Sequence, residues 1–375
     1  HRDGDWNKAV HIWIINDKGD ILLQRRCATK DSNPNMLDIS SAGHLSAGDS
    51  SLDGAIRELK EDEVLVAVRA CGVCGSDIPR IYNTGAHNMP LIIGHEFSGE
   101  VVETGSKAYE KLLKKRVGVF PLIPCRECIP CRKGFYEMCR SYGYLGSRQD
   151  GAFAEYVRVP AANLIELPGE VSFKQAAMLE PMSVAVHAMR RVQIGQSDTV
   201  VVSGLGTIGM LLTMFLLERG VCSVLVVGNK DYQRSKAIEL GLPGECFCDS
   251  RTEDVREWIL SHTPNAGADV FFECVGKEET AVLGLDVAAP SGQVCLVGNP
   301  YSDMCFPRDV YWKILRNQLR VTGTWNSSFR MGDEAAEGER SDWEHVLDLL
   351  KRERSRPQKL ISHRFDLQNL DQGLH

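Results

Sequence analysis

The chain has 375 residues, more than one ordinary core accommodates, so two or three domains are expected. A net charge of −7 with no basic stripe excludes nucleic acid as a partner, and thirteen cysteines, an odd number set in apolar stretches such as Val294-Cys295-Leu296, suit a reducing cytoplasm and not a disulfide framework. The opening His1-Arg2-Asp3-Gly4-Asp5 is polar where a secretory signal needs an apolar core, and the longest apolar stretch, about residues 208–217, is too short to span a bilayer, so a cytoplasmic protein without a membrane partner is expected.

From the N-terminus, residues 9–15 and 21–24 are β-type runs separated by Asn16-Asp17-Lys18-Gly19-Asp20, which predicts a hairpin. Gly43, Asp49, Arg57, Glu58, Leu59, Glu61 and Asp62 then follow with the spacing of a Nudix box. Together with His1-Arg2-Asp3-Gly4-Asp5-Trp6 and Asp38-Ile39-Ser40-Ser41-Ala42-Gly43-His44, this segment resembles Nudix proteins related to isopentenyl diphosphate isomerase. The resemblance implies a helix with Glu58, Glu61 and Asp62 on one face, which in that family holds Mg²⁺ against a diphosphate. Asp49 and Asp62 stand where glutamates are usual, and the pattern stops at Asp62. Residues 1–62 are therefore expected to form an α+β Nudix-like fragment without hydrolase activity.

Val64-Leu65-Val66-Ala67-Val68 predicts a strand leading into Cys71-Gly72-Val73-Cys74-Gly75-Ser76-Asp77, followed by Gly94-His95-Glu96-Phe97-Ser98-Gly99. Cys125, Cys128, Cys131 and Cys139 come next as C-x2-C-x2-C-x7-C. Four thiolates this close surround one Zn²⁺ with no vacant position, the mark of a structural metal. Gly151-Ala152-Phe153-Ala154-Glu155-Tyr156 and Leu179-Glu180-Pro181-Met182-Ser183 complete this part of the chain.

Thr199-Val200-Val201-Val202-Ser203 reads as a buried strand that runs into a turn, Gly204-Leu205-Gly206-Thr207-Ile208-Gly209, and an apolar helix over 207–219. A strand before this G-x-G-x-x-G and a helix after it make Gly204, Gly206, Thr207, Ile208 and Gly209 a pyrophosphate site, with helix N-terminal N–H groups facing the anion. Further strands over 223–227, 269–274, 293–297 and 319–323 alternate with helices, which predicts a doubly wound parallel sheet. Where NAD enzymes place an acidic residue on the ribose 2′-hydroxyl, the second strand ends in Gly228-Asn229-Lys230-Asp231. Gly228 removes repulsion against a 2′-phosphate, Asn229 offers a donor, and Lys230 and Arg234 offer charge, so NADP is favoured over NAD; the alternative gives the NAD role to Asp231.

From about Glu63 onward these motifs resemble the zinc-dependent medium-chain dehydrogenases, closest to the sorbitol and galactitol 1-phosphate dehydrogenase branch. The resemblance implies a GroES-like β-barrel catalytic domain over 63–189, resuming over 325–375, with a Rossmann domain over 190–324. It further implies a catalytic zinc on Cys74, His95 and Glu180, Glu96 as a neighbouring or exchanging ligand, and Ser76 as a hydroxyl relay for the alcohol proton. Each chain is then expected to carry two zincs and to transfer hydride between NADP or NAD and a small polyol or polyol phosphate, with Arg80 or Arg148 pairing with the phosphate. Relatives are commonly dimers or tetramers, so a homo-oligomer is expected. The sorbitol, butanediol and threonine dehydrogenases share these motifs, which leaves the substrate open within the branch. Family members begin earlier than residue 63 and close with a final helix and strand, whereas this chain stops at Leu374-His375, the pattern of a splice of two truncated reading frames. Two alternatives stand beside this reading: a Nudix-type diphosphate hydrolase or isomerase, and a non-catalytic chimera that keeps only the structural zinc.

Overall fold

The computed structural model describes residues 59–83, 85–87, 90–263, 266–330, 340–352 and 355–374, with Ile56 and the backbone of four short strands before it. Those strands are β1 (Lys8–Ile12), β2 (Leu23–Arg25), β3 (Leu37–Ile39) and β4 (Ser41–Leu45). β1 pairs antiparallel with β4, from Lys8↔Leu45 to Ile12↔Ser41, and β2 pairs with β3. This corrects the predicted hairpin between the first two runs, because a longer non-local ladder overrides the local turn signal. Asp49, Arg57 and Glu58 of the Nudix-box spacing lie outside the described residues. Glu61 and Asp62 occupy a turn, not the predicted helical face. The turn is closed by Glu63 N–H donating to Lys60 O at 3.0 Å and by Ala161 N–H donating to Asp62 O at 2.9 Å.

The described residues form two compact units, one with those up to Cys131, Cys139–Ala177 and Phe365 onward, the other with Arg132–Met138 and Met178–Arg364. In the first unit β5 (Glu63–Gly72), β6 (Glu96–Thr104), β7 (Arg116–Val119), β10 (Tyr156–Pro160) and β11 (Leu164–Glu166) make an antiparallel sheet in the order β10-β5-β6-β7-β11, and β8 (Leu122–Ile123) pairs with β9 (Gly143–Tyr144). Val64, Leu65, Val66 and Ala67 of β5 are all buried, so the apolar run is covered on both faces. Val64, Val66, Phe97, Val101, Val117 and Val159 form the centre of the core. The β5–β6 ladder shifts register between Leu65 and Val66 and again between Val68 and Ala70, then ends at Gly72↔Glu96. Such irregularities bend a strand and re-aim the side chains beyond it.

Just past that ladder, three glycine backbones touch. Gly94 has φ +98°, and a Cβ on it would lie 2.9 Å from Phe153 N; a Cβ on Gly146 or Gly151 would lie 2.5 or 2.3 Å from Gly94 O. No larger residue fits at these positions without moving backbone. Gly151 N–H donates to Ile92 O, Ala152 N–H to Gly94 O and Phe153 N–H to Ile93 O, fastening the two segments together.

The second unit is built on a six-stranded sheet of β12 (Thr199–Ser203), β13 (Ser223–Gly228), β14 (Phe247–Asp249), β15 (Ala268–Glu273), β16 (Ala288–Leu296) and β17 (Arg320–Gly323). Every pairing is parallel and the order is β14-β13-β12-β15-β16-β17, the 3-2-1-4-5-6 order of dinucleotide-binding sheets. The doubly wound prediction therefore holds. The helix Thr207–Glu218 is apolar nearly all round and buried from Gly209 to Leu216, as the uninterrupted apolar stretch requires. Among the described residues no helix is long and apolar enough to cross a membrane.

Candidate active site and metal centres

Cys125, Cys128, Cys131 and Cys139 converge so that their sulfurs all lie within 4.8 Å of one another. The Cys128–Cys131 separation is 3.4 Å, and Cys125–Cys131 and Cys128–Cys139 are both 3.9 Å. A tetrahedron with Zn–S bonds of about 2.3 Å has edges of about 3.8 Å, so the quartet fits one zinc. Backbone N–H groups of Cys125 and Cys128 donate to the sulfurs of Cys139 and Cys125. Hydrogen bonding from the backbone at Arg140 and Cys131 draws the Cys128 thiol down to about 6, whereas burial and its thiol neighbours raise Cys131.

A second group brings Cys74, His95 and Glu96 together, again with ligand atoms within 4.8 Å of one another. Cys74 lies beyond the end of β5, Glu96 opens β6, and His95 follows the positive-φ Gly94, so the bulged ladder and the glycine contact set all three. Gly72 leaves the space Glu96 uses, since a Cβ there would fall 2.3 Å from Glu96 Oε2. Ser76 Oγ donates to Cys74 Sγ at 3.3 Å.

Behind this group stands Asp77, fully buried at the start of the helix Asp77–Tyr82 and overlooked in the sequence reading. Its carboxylate accepts from Cys74 N–H at 3.1 Å and from Arg80 Nη1 at 2.7 Å, and lies 3.5 Å from His95 Nδ1. At 3.5 Å the carboxylate faces the imidazole as a buried charge and not as a hydrogen-bond acceptor. The donor set of thiolate, imidazole and carboxylate, with a buried carboxylate behind the imidazole, fits a zinc centre. The i, i+3 spacing of Cys74 to Asp77 and of Asp77 to Arg80 was the available signal. Glu180, the remaining expected ligand, belongs to the other unit, buried in the first turn of the helix Leu179–Arg190.

In the second unit the glycines of the strand–helix turn divide their tasks. A Cβ on Gly204, at φ +95°, would meet Val275 Cγ2 at 2.5 Å, and one on Gly209 would meet Gly204 O at 1.9 Å. Around Gly206 there is open space, with nothing within 4 Å. Tight packing at the outer glycines and an accessible backbone at the middle one is the arrangement that lets a pyrophosphate approach the helix N-terminus, with Thr207 and Ile208 in its first turn. At the neighbouring edge of the sheet, Gly228 ends β13 because no side chain fits: a Cβ would meet Phe247 Cζ at 2.8 Å and Gln233 Oε1 at 2.9 Å. The missing carboxylate therefore has a packing cause as well. Asn229 and Lys230 are exposed beyond it, and the Arg234 guanidinium lies 5.7 Å from the Phe247 ring centroid. Sequence reasoning missed Arg251, which forms ion pairs with Asp231 at 2.5 Å and Asp249 at 2.6 Å on this rim. A cavity of about 900 Å³ elsewhere in the unit, lined by Met189, Arg190, Phe215, Arg219, His345 and Leu349 among others, contains none of the residues singled out above.

Against known families, residues 60–169 match the Alcohol dehydrogenase GroES-like domain and residues 207–352 the Zinc-binding dehydrogenase model, while residues 5–86 match the NUDIX domain. Galactitol 1-phosphate 5-dehydrogenase of Escherichia coli strain K12 is 32% identical over 325 residues, covering 86% of this chain and 91% of the relative. The chain belongs to the zinc-dependent medium-chain dehydrogenases. Two solved structures are similar to this dehydrogenase: a zinc-binding dehydrogenase of Sinorhizobium meliloti 1021 bound to NADP (TM-score 0.76, 27% identity, 90% of this chain and 92% of the other) and an alcohol dehydrogenase of Escherichia coli CFT073 complexed with NADH (TM-score 0.74, 26%, 90% and 91%). As a member of this family the medium-chain dehydrogenase is an oxidoreductase, a zinc-dependent alcohol or polyol dehydrogenase.

Proposed function

We propose that this dehydrogenase oxidises a polyol phosphate such as galactitol 1-phosphate in the cytoplasm, as a dimer or tetramer, with two zincs per chain and NADP favoured over NAD. The observation that carries the reading is the group of Cys74, His95 and Glu96, backed by the fully buried Asp77. Cys74, His95 and Glu180 would hold the catalytic zinc, with Glu96 as the adjacent carboxylate, and the four-cysteine lobe would hold the structural one. Bound there, zinc would supply the Lewis acidity that lowers the pKa of an alcohol oxygen, and a nicotinamide cofactor would supply the hydride acceptor. Ser76 Oγ, seated beside Cys74 Sγ, takes the alcohol proton and passes it towards solvent. The turn at Gly206 seats the pyrophosphate, and Asn229, Lys230 and Arg234 receive a 2′-phosphate.

Similarity to a galactitol 1-phosphate dehydrogenase supports the substrate class. No diphosphate chemistry is assigned to the N-terminal segment, because the NUDIX match runs to residue 86 through β5 and the helix Asp77–Tyr82, which are built into the dehydrogenase unit. The test is zinc content of dialysed protein, then turnover of polyol phosphates with each cofactor. Two zincs per chain and turnover support the reading; one zinc, or no turnover at two, refutes it. A lower dissociation constant for NAD than for NADP refutes the cofactor preference.

A further inference from the structure

Around the end of β13 the second unit sets three cations, Lys230, Arg234 and Arg251, among the acids Asp231, Asp249 and Glu253. The backbone fixes their places. Gly228 pairs with Asp249 across the β13–β14 ladder, and Gly228 O accepts from Ser250 N–H at 2.9 Å and from Ser250 Oγ at 3.2 Å. On the other side, the Gln233 side chain accepts from Asn229 N–H at 2.9 Å and donates through Nε2 to Leu205 O at 3.0 Å. Arg251 therefore lies two residues past the partner of Gly228, and Asn229 is one amide side chain away from the Gly204–Gly209 turn.

The Arg251 guanidinium bridges two of the acids. Its Nε lies 2.9 and 3.1 Å from the two Asp249 oxygens, and its Nη2 lies 2.6 Å from Asp249 Oδ2 and 2.5 Å from Asp231 Oδ1. Its own backbone N–H donates to Asp249 Oδ1 at 3.0 Å. These hydrogen bonds draw the Asp249 carboxyl down to about 2, so it is ionised at any working pH. Asp231 opens the helix Asp231–Glu239 directly after Lys230, and its side chain is 89% exposed, so the guanidinium and not burial holds it. Glu253 Oε1 accepts from Asp249 N–H at 2.7 Å. Ionised carboxylates at the end of the second strand suit the ribose 2′-hydroxyl of NAD and repel a 2′-phosphate.

We propose that Arg251 is the positioning residue that sets cofactor choice: by holding Asp231 and Asp249 it keeps both acids from the ribose 2′-hydroxyl of NAD and screens their charge from the 2′-phosphate of NADP. This rests on the reading above that Asn229, Lys230 and Arg234 receive that phosphate. The guanidinium acts through the acids and not by touching the cofactor. Removing it leaves three acids facing two cations at this rim, where in the wild type the numbers are equal. Exposed ion pairs contribute little to folding, so the effect falls on binding.

The test titrates NADP and NAD into the whole chain by calorimetry, without substrate, for wild type and four variants. Arg251→Gln keeps hydrogen-bond donors but not the charge, and is expected to weaken NADP about tenfold while NAD changes by less than about twofold or tightens. The gap from wild type is expected to narrow at about 0.5 M salt, which a purely structural loss would not do. Arg251→Lys retains the charge and is expected to keep the ratio of the two dissociation constants within about threefold of wild type. Asp231→Asn, at an exposed position, is expected to tighten NADP about threefold, because Arg251 then neutralises one acid and not two. Arg251→Gln combined with Asp231→Asn and Asp249→Asn is expected to restore the wild-type ratio to within about threefold. An unchanged ratio in Arg251→Gln, or a loss that the two asparagine substitutions fail to restore, overturns the proposal; the second outcome would mean that the guanidinium grips the phosphate itself. Wild type that binds NAD more tightly than NADP overturns the cofactor preference stated above, and the ratios among the variants still decide the role of Arg251.

Discussion

The Asp77 carboxylate stands 3.5 Å from His95 Nδ1, so a charge that never reaches solvent faces the imidazole across a gap longer than a hydrogen bond. Asp77→Asn keeps the size of the side chain but removes its charge, and zinc affinity is expected to fall about 10- to 100-fold, read by competition with a chelator. Arg80→Ala leaves Asp77 buried without its counter-charge and is expected to cost about 3 kcal/mol of stability in urea unfolding. Equal zinc affinity in Asp77→Asn would remove the carboxylate from the site.

Cys131 is buried at the heart of the four-sulfur lobe. In Cys131→Ser the quartet loses a soft ligand, and zinc per chain is expected to drop by one, with a lower melting temperature. Elemental analysis beside a thermal melt checks both, and a full complement of zinc would show that the lobe does not hold metal through this residue.

Gly206 and Gly209 should respond oppositely to the same added methyl group. At Gly209 the methyl meets Gly204 O at 1.9 Å, so Gly209→Ala is expected to destabilise the unit by about 2 kcal/mol. At Gly206 there is room, so Gly206→Ala is expected to fold normally and to weaken cofactor binding about tenfold by crowding the pyrophosphate. Melting curves and cofactor dissociation constants, measured on both variants, separate the two effects.

Asp342 begins the helix Asp342–Lys351 fully buried, accepting from His187 Nδ1 at 2.8 Å and from Ser328 N–H and Oγ at 2.7 Å. Burial alone would raise its carboxyl, but the hydrogen bonds from His187 and Ser328 outweigh burial and hold it below the ordinary carboxylate range. A depressed folded-state pKa contributes stability that is present above the unfolded value of about 3.9 and disappears as pH falls through the folded one. Asp342→Asn is therefore expected to melt several degrees below wild type at pH 7, with the gap closing as pH falls below the ordinary carboxylate range. A gap independent of pH would assign the loss to packing.

The parts of the site that were legible in the sequence are those whose partners are close along the chain. Cys125 to Cys139 and Gly204 to Gly209 are local motifs, and the parallel strands alternate with helices in plain order. Asp77 left a local signal in its i, i+3 spacing to Cys74 and Arg80, whereas Tyr144 escaped because it meets His95 only after β9 is brought beside the Gly94 turn. The pairing of β1 with β4 was hidden for the same reason, since a turn signal speaks only of its neighbours. Gly228 carries two meanings at once: its lack of a carboxylate bears on the cofactor, and the Phe247 ring and the Gln233 amide, invisible in the sequence, add a packing cause.

The three-way contact of Gly94, Gly146 and Gly151 limits how this enzyme can be redesigned. Surface loops are the usual targets for grafting between relatives, and residues 144–151 form one such loop. In this molecule that segment is not a cassette. Its seat is the backbone of the residue before His95, so a donor loop lacking glycine at either contact point would push on the Gly94-His95 corner. A successful graft has to move the Gly94-His95 corner with it, and libraries that randomise the loop are best confined to Ser147, Arg148 and Gln149.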